Sequence, residues 1–162
     1  MTPQSIFWKR FPFGALAGAG SAALLLTALG FQYLGGLAPC ALCIWQRWPH
    51  LVAAVAGLLC LRLNHVWVLA LGAASAAASA GIGLFHAGVE AKLWQGLTSC
   101  SGNIDVSRMS AKDALEAIMS AQVVKCDEIA WSWLGLSMAS WNALLSTGLA
   151  AVWIWSMIRS FR

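Results

Sequence analysis

Two sulfur atoms three residues apart, in Cys40-Ala41-Leu42-Cys43, are the groups in this chain best suited to exchange electrons. Two further cysteines, Cys100 and Cys126, lie in the only long polar stretch, and the fifth, Cys60, stands apart. The thiolate is the reactive form of cysteine, and a helix N-terminus or a nearby cation favours it. A helix starting near Pro39 or Cys40 puts Cys40, Cys43 and Arg47 on one face at i, i+3 and i+7, with Arg47 one turn below Cys43. A disulfide across so short a step closes too small a loop to stabilise much, so this pair reads as one that exchanges. Two dithiol pairs on one side of a membrane can move electrons from thiols outside to an acceptor dissolved in the lipid.

Other chemistries use the same residue types. A four-cysteine zinc site has two close pairs, whereas Cys100 and Cys126 are far apart, so no metal is expected. Covalent haem attachment needs a histidine after the second cysteine, and Ile44 stands there. For Cys100 and Cys126 a purely structural disulfide competes with a redox role. Arg47 reads either as a side chain snorkelling to the headgroups or as a functional cation beside the dithiol. His50 and His86 offer a different class of function, a haem b held between two helices, although only His65 is left to match them at the other face. Cys60 is expected to be a buried packing residue.

The elements that position these groups are membrane spans. The chain has 162 residues, 60% hydrophobic and 10% charged, with a mean hydropathy of +0.72. Soluble domains carry about 25% charged residues, and about 20 apolar residues cross a bilayer. Spans are expected over 15–34, 43–63, 66–85 and 141–158. The second is interrupted early by Gln46, Arg47, Pro49 and His50. Lys9 and Arg10 precede the first span, Arg62 ends the second, and Arg159 and Arg162 follow the fourth. All six acids lie between the third and fourth spans. Short cytoplasmic segments are enriched in Lys and Arg, so both termini are expected in the cytoplasm, with the loops at 35–42 and 87–140 outside. Trp45, Trp48, Trp94, Trp131, Trp133 and Trp141 fall near the outer interface; Trp8, Trp67, Trp153 and Trp155 fall near the inner one. The net charge of +4 thus reflects topology, and no nucleic-acid partner is expected.

The whole chain, 1–162, reads as one all-α membrane domain, a four-helix bundle without internal repeats. The first apolar run is longer than the roughly 7–15 residues of a signal-peptide core, and an uncleaved span is expected. Gly18-Ala19-Gly20 and the small residues from Ala73 to Gly83 suit close helix packing rather than a channel. In the long loop, Ser110 is an expected N-cap with Asp113 three residues on. Leu115, Ile118, Met119 and Gln122 share a face of the short amphipathic helix that follows, which lies on the membrane or packs on the loop. Thr98 to Asn103, around Cys100, is rich in Ser and Gly.

Pro39-Cys40-Ala41-Leu42-Cys43-Ile44-Trp45-Gln46-Arg47, a cysteine pair in a long second outer loop, and Trp133-Leu134-Gly135-Leu136 before the last span together resemble the DsbB family of bacterial inner-membrane disulfide-formation proteins. The resemblance covers nearly the whole chain. It implies a quinone-dependent dithiol oxidoreductase that reoxidises a DsbA-like periplasmic thioredoxin-fold oxidase. The implied relay has the soluble partner attack a Cys100–Cys126 disulfide and join Cys100. The freed Cys126 then attacks Cys40, and Cys43 is released beside a bound quinone, ubiquinone or menaquinone, which takes the electrons. Arg47 would stabilise the Cys43 thiolate and the negative charge developing on the quinone oxygen. Gln46 and His86 are carried over to the quinone site. A relative of the same fold serving one dedicated partner is the remaining alternative.

Overall fold

The computed structural model describes residues 13–63, 65–96, 110–113, 115 and 124–161. Its frame is four long helices, α1 (Phe13–Tyr33), α2 (Ala41–Cys60), α3 (Val66–Glu90) and α4 (Met138–Ser160). A two-stranded hairpin, β1 (Ser132–Trp133) and β2 (Leu136–Ser137), immediately precedes α4. Three helices, α1, α3 and α4, are long and apolar enough to cross a membrane. The exception, α2, carries Gln46, Arg47, Pro49 and His50.

Each helix boundary has a local cause. α1 is an uncharged Gly, Ala and Leu run that stops where Gly36 takes a φ of +67°, the left-handed conformation that glycine adopts freely. Cys40 is the N-cap of α2, its sulfur accepting from the Cys43 N–H at 3.3 Å. Pro49 sits inside α2, where it removes one backbone donor from the helix ladder. α3 runs past the expected end at 85 to Glu90, then reverses at Lys92, a non-glycine residue at φ 58°. Lys92 N–H donates to the Val89 carbonyl at 3.0 Å and Leu93 N–H to the Gly88 carbonyl at 2.9 Å, which closes the helix end as a Schellman turn. Trp94 folds back over Gly88, where any side chain would collide with its ring. The last helix begins at Met138, earlier than the expected 141, because Ser137 caps it by accepting from Ser140 N–H at 3.1 Å.

The Trp133-Leu134-Gly135-Leu136 motif is the hairpin. Leu134 and Gly135 both have positive φ, 53° and 78°, as a tight two-residue turn demands, with Trp133 paired to Leu136. Of the amphipathic loop helix, Ile118, Met119 and Gln122 lie outside the described residues, as do Lys9, Arg10, Arg162 and Cys100. The expected cap is present: Ser110 Oγ accepts from Asp113 N–H at 3.2 Å and donates to its carboxylate at 2.7 Å.

Small residues let the backbones approach. The core joins Ala17, Ala56, Cys60, Leu69, Ala73, Ala76, Ala150 and Trp153. Cys60 is buried there as a packing residue, and Trp153 is fully enclosed against Gly14 and Gly72. α1 crosses α2 at Gly18 and Gly57, where a Cβ on Gly57 would stand 2.6 Å from Gly18 Cα. Gly57→Val is therefore expected to destabilise the bundle by about 1–3 kcal/mol through overpacking, read as a lower thermal midpoint in detergent. Gly81→Ala, at a position with nothing within 4 Å, is the matched control and should leave the midpoint unchanged.

Candidate functional site

The start of α2 divides the two sulfurs of the CxxC. Cys40, still in extended backbone, turns into a small buried cluster with Leu42, Val89 and Cys126. Cys43, inside the first helical turn, lines a cavity of about 330 Å³ that Cys40 does not reach. The two Sγ atoms are 2.9 Å apart, and Cys40 Sγ lies 3.6 Å from His86 Nε2. The hydrogen bond from Cys43, assisted by His86 and opposed by burial, holds the Cys40 thiol well below its usual range. Cys40, Cys43 and Cys60 are free thiols, whereas Cys126 is disulfide-bonded and buried. Cys100, the partner that the resemblance implies, lies outside the described residues.

His86 is the hinge between the two cysteine pairs. Because α3 continues to Glu90, His86 sits a full turn inside the helix and is 97% buried, not an unspecialised interfacial histidine. Besides Cys40 it hydrogen-bonds the backbone of Cys126, and its Nε2 stands 3.9 Å from Glu90 Oε1. Glu90 in turn accepts from Ser137 Oγ, which links the end of α3 to the cap of α4. His86 Nδ1 is 3.1 Å from Gln46 Nε2.

Gln46 continues inward. Its Oε1 accepts from Asn142 Nδ2 at 2.6 Å, and Asn142 Oδ1 meets His50 Nε2 at 2.9 Å. Ser79 Oγ at 3.0 Å and Ser146 Oγ at 3.3 Å complete the surroundings of that His50 nitrogen. His50 Nε2 is thus held by Asn142, Ser79 and Ser146, and Gln46 lies between the two rings. This arrangement does not favour a haem held between them.

Arg47 reaches from α2 to α1. Its Nη1 donates to Gln32 Oε1 at 2.5 Å and its Nη2 to the Ala28 carbonyl at 3.4 Å, while Nε is buried without a hydrogen-bond partner. Cys43, Gln46, Arg47, His50 and His86 all line the cavity, with Phe31, Trp131, Trp133 and Trp141 among its walls. It lies between α1, the first turns of α2 and the start of α4. The structure thus brings together Cys40, Cys43, Gln46, Arg47, His86 and Cys126. Sequence reasoning missed Asn142, Gln32 and Glu90; the available signal was a polar side chain within or at the end of an apolar run, which is costly unless it has a partner or a task.

Cys126 is held from outside by a latch. Lys92, presented by its left-handed turn, donates to Asp127 Oδ2 at 2.5 Å and to the Asp127 carbonyl at 3.0 Å. The hydrogen bond from Lys92 keeps the Asp127 carboxyl below its ordinary range.

Comparisons with known proteins agree in kind. The family model for disulfide bond formation protein DsbB matches residues 9–156. The chain is 27% identical to a disulfide bond formation protein B from Stutzerimonas stutzeri, over 98% of this chain and 96% of that one. It is 30% identical to the Shewanella frigidimarina protein of the same name, with the same coverage. It is 33% identical to that of Methylococcus capsulatus, over 80% of this chain and 83% of the relative. No solved structure matches the chain.

Two expectations follow from this geometry. Asn142→Leu orphans the buried Gln46 carbonyl oxygen and should destabilise the protein by about 1–3 kcal/mol, measured as a lower thermal midpoint. Lys92→Ala should speed tryptic cleavage after the exposed Lys125 severalfold, because the 124–128 segment loses its anchor. Lys92→Arg, which keeps the cation and adds no cleavage site, should leave the rate near the wild-type value. The carboxyl is lowered in the folded state, so the latch is intact at neutral pH and fails as pH falls through the Asp127 titration.

Proposed function

The chain belongs to the DsbB family, and from that premise we propose that it is a membrane thiol:quinone oxidoreductase of the bacterial inner membrane. Its role is in disulfide bond formation. In this reading it reoxidises a DsbA-like thioredoxin-fold dithiol oxidase in the periplasm and passes the electrons to a membrane quinone. The observation that carries the proposal is the cavity, which meets the CxxC at Cys43 and contains a cation with an unpartnered buried donor.

The residues present fit a quinone. Arg47 lines a space walled by Phe31, Trp131 and Trp141, its buried Nε has no hydrogen-bond partner among the described residues, and the volume is at the small end of the range for ligand pockets, about 300–1,000 Å³. A bound quinone supplies a two-electron, two-proton acceptor. Arg47 would hold its oxygen and stabilise negative charge there and on Cys43, with Gln46 and His86 orienting the ring from the opposite wall. On the other side of the CxxC, Cys126 shares a buried cluster with Cys40; once the soluble partner has taken Cys100, its thiolate would attack Cys40 of an oxidised Cys40–Cys43 pair, breaking that disulfide and releasing the Cys43 thiolate. His86, in contact with Cys40, is suited to hold the proton exchanged at that sulfur. Re-forming the Cys40–Cys43 disulfide from the dithiol releases two electrons and two protons, the amounts that one quinone consumes on becoming a quinol.

The proposed topology has α2 as the fourth span, both termini in the cytoplasm, and the redox cysteines in the periplasm. The basic residues at the chain ends and after α2 support it, as does the placement of all six acids at the end of α3 or between α3 and α4.

The deciding experiment is quinone reduction by the purified protein with a reduced periplasmic dithiol oxidase as donor. Cys43→Ser should abolish turnover. Arg47→Ala should slow it about a hundredfold and weaken quinone affinity, as the loss of one preorganised charge commonly does. With Cys100→Ser and Cys126→Ser combined, quinone should still oxidise the Cys40–Cys43 pair while the partner is oxidised poorly. Full partner oxidation per folded molecule by that double variant would reduce the loop cysteines to a structural bond.

A further inference from the structure

Cys40 Sγ, Cys43 Sγ and His86 Nε2 converge in a way that electron relay alone does not require. One ligand atom from each of these three residues lies within 4.8 Å of the others, with Cys40 and His86 buried. Tetrahedral zinc with Zn–S near 2.3 Å and Zn–N near 2.0–2.1 Å needs an S···N edge of about 3.6 Å and an S···S edge of about 3.8 Å. The Cys40–His86 separation is already 3.6 Å. The sulfur pair, at 2.9 Å, opens to the required edge by a small rotation of the Cys43 side chain toward the cavity that it lines.

We propose that, when the Cys40–Cys43 pair is reduced, the protein binds one thiophilic closed-shell cation of the Zn²⁺ type through Cys40, Cys43 and His86. Whatever protons the two sulfurs still carry go to solvent on binding, and no electrons move. The lone pairs that would form the S–S bond are then committed to the metal, so the pair is withdrawn from redox exchange until the ion leaves. Two thiolates neutralise a divalent cation, which removes most of the cost of burying it among apolar helices. Gln46, already at His86 Nδ1, supplies the outer acceptor that a metal-bound imidazole needs once its amide and that of Asn142 turn over together, Asn142 then accepting from Gln46 and donating to His50 Nε2. The fourth position faces the cavity, the route by which the ion enters. The sequence did not suggest this site because its third ligand lies 43 residues beyond Cys43, on a different helix.

The site rests on three side chains and not on the quinone reading, so the two can fail separately. The test uses the full chain in detergent carrying Cys100→Ser and Cys126→Ser, so that only the CxxC pair changes redox state. Reduced with a thiol-free phosphine, it should retain one Zn²⁺ per chain through desalting. Co²⁺ should give a thiolate charge-transfer band and the intense visible bands of a tetrahedral site. Oxidation of Cys40–Cys43 in the same sample should release the metal, and this comparison needs no further variant. His86→Gln should weaken Zn²⁺ binding at least tenfold and alter the Co²⁺ spectrum. Equimolar Zn²⁺ should block oxidation of the pair by a chemical disulfide such as diamide, and a chelator should restore it. Failure of the reduced protein to retain Zn²⁺, or retention that is equal in the oxidised protein, overturns the proposal. So does a Co²⁺ spectrum unchanged by His86→Gln.

Discussion

Polar side chains inside an apolar helix bundle have no water to satisfy them, so each must find its partner in the protein. That constraint organises this molecule. Gln46 on α2 meets His86 on α3 and Asn142 on α4; His50 on α2 meets Ser79 on α3 and both Asn142 and Ser146 on α4. Any slip of one of these helices would strand several buried donors and acceptors together. The network therefore fixes the register of α2, α3 and α4, and with it the position of His86 against the sulfur of Cys40.

α1 is attached by other means. It packs through the close approach of Gly18 to Gly57, and its polar tie near the site is the grip of Arg47 on Gln32 and the Ala28 carbonyl. The wall with the fewest polar constraints is thus the wall beside which the cavity opens. A ligand with an apolar tail can enter a seam of that kind without dismantling the hydrogen-bonded part of the bundle.

Much of this was legible in the sequence, and the exceptions have physical causes. Helices α1, α3 and α4 were evident because apolar runs of that length have few other uses, and α2 was identified despite Arg47 and Pro49. The sequence placed the start of α2 near Pro39 or Cys40, and the helix begins at Ala41 with Cys40 as its cap. What periodicity does not report is how far a helix continues once its residues cease to be uniformly apolar. Ending α3 at 85 made His86 look terminal, whereas the Schellman turn at Lys92 carries the helix to Glu90 and buries the ring. Asn142 escaped notice for a related reason: its role depends on Gln46, 96 residues away in sequence. The fate of Cys126 was readable only as a choice between structural and redox roles, and its burial beside Cys40 is a tertiary fact.

The direction of the proposed relay comes from a one-residue boundary. Cys40 caps α2 and so retains extended backbone, which turns its sulfur toward Val89 and Cys126. Cys43 is the third residue of the helix, and its sulfur turns toward the cavity with Arg47. If α2 began one turn earlier, both sulfurs would lie along one helical face and compete for the same surroundings. Beginning where it does, the helix turns one sulfur toward Cys126 and the other toward the cavity, the separation that the proposed relay needs. Because Cys126 is 98% buried, a soluble protein cannot approach its sulfur in this conformation. Under the proposed function, attack from the periplasm must fall on Cys100, and Cys126 is left free on the side where Cys40 already waits. Burial thus sets the order of exchange as firmly as sulfur reactivity does.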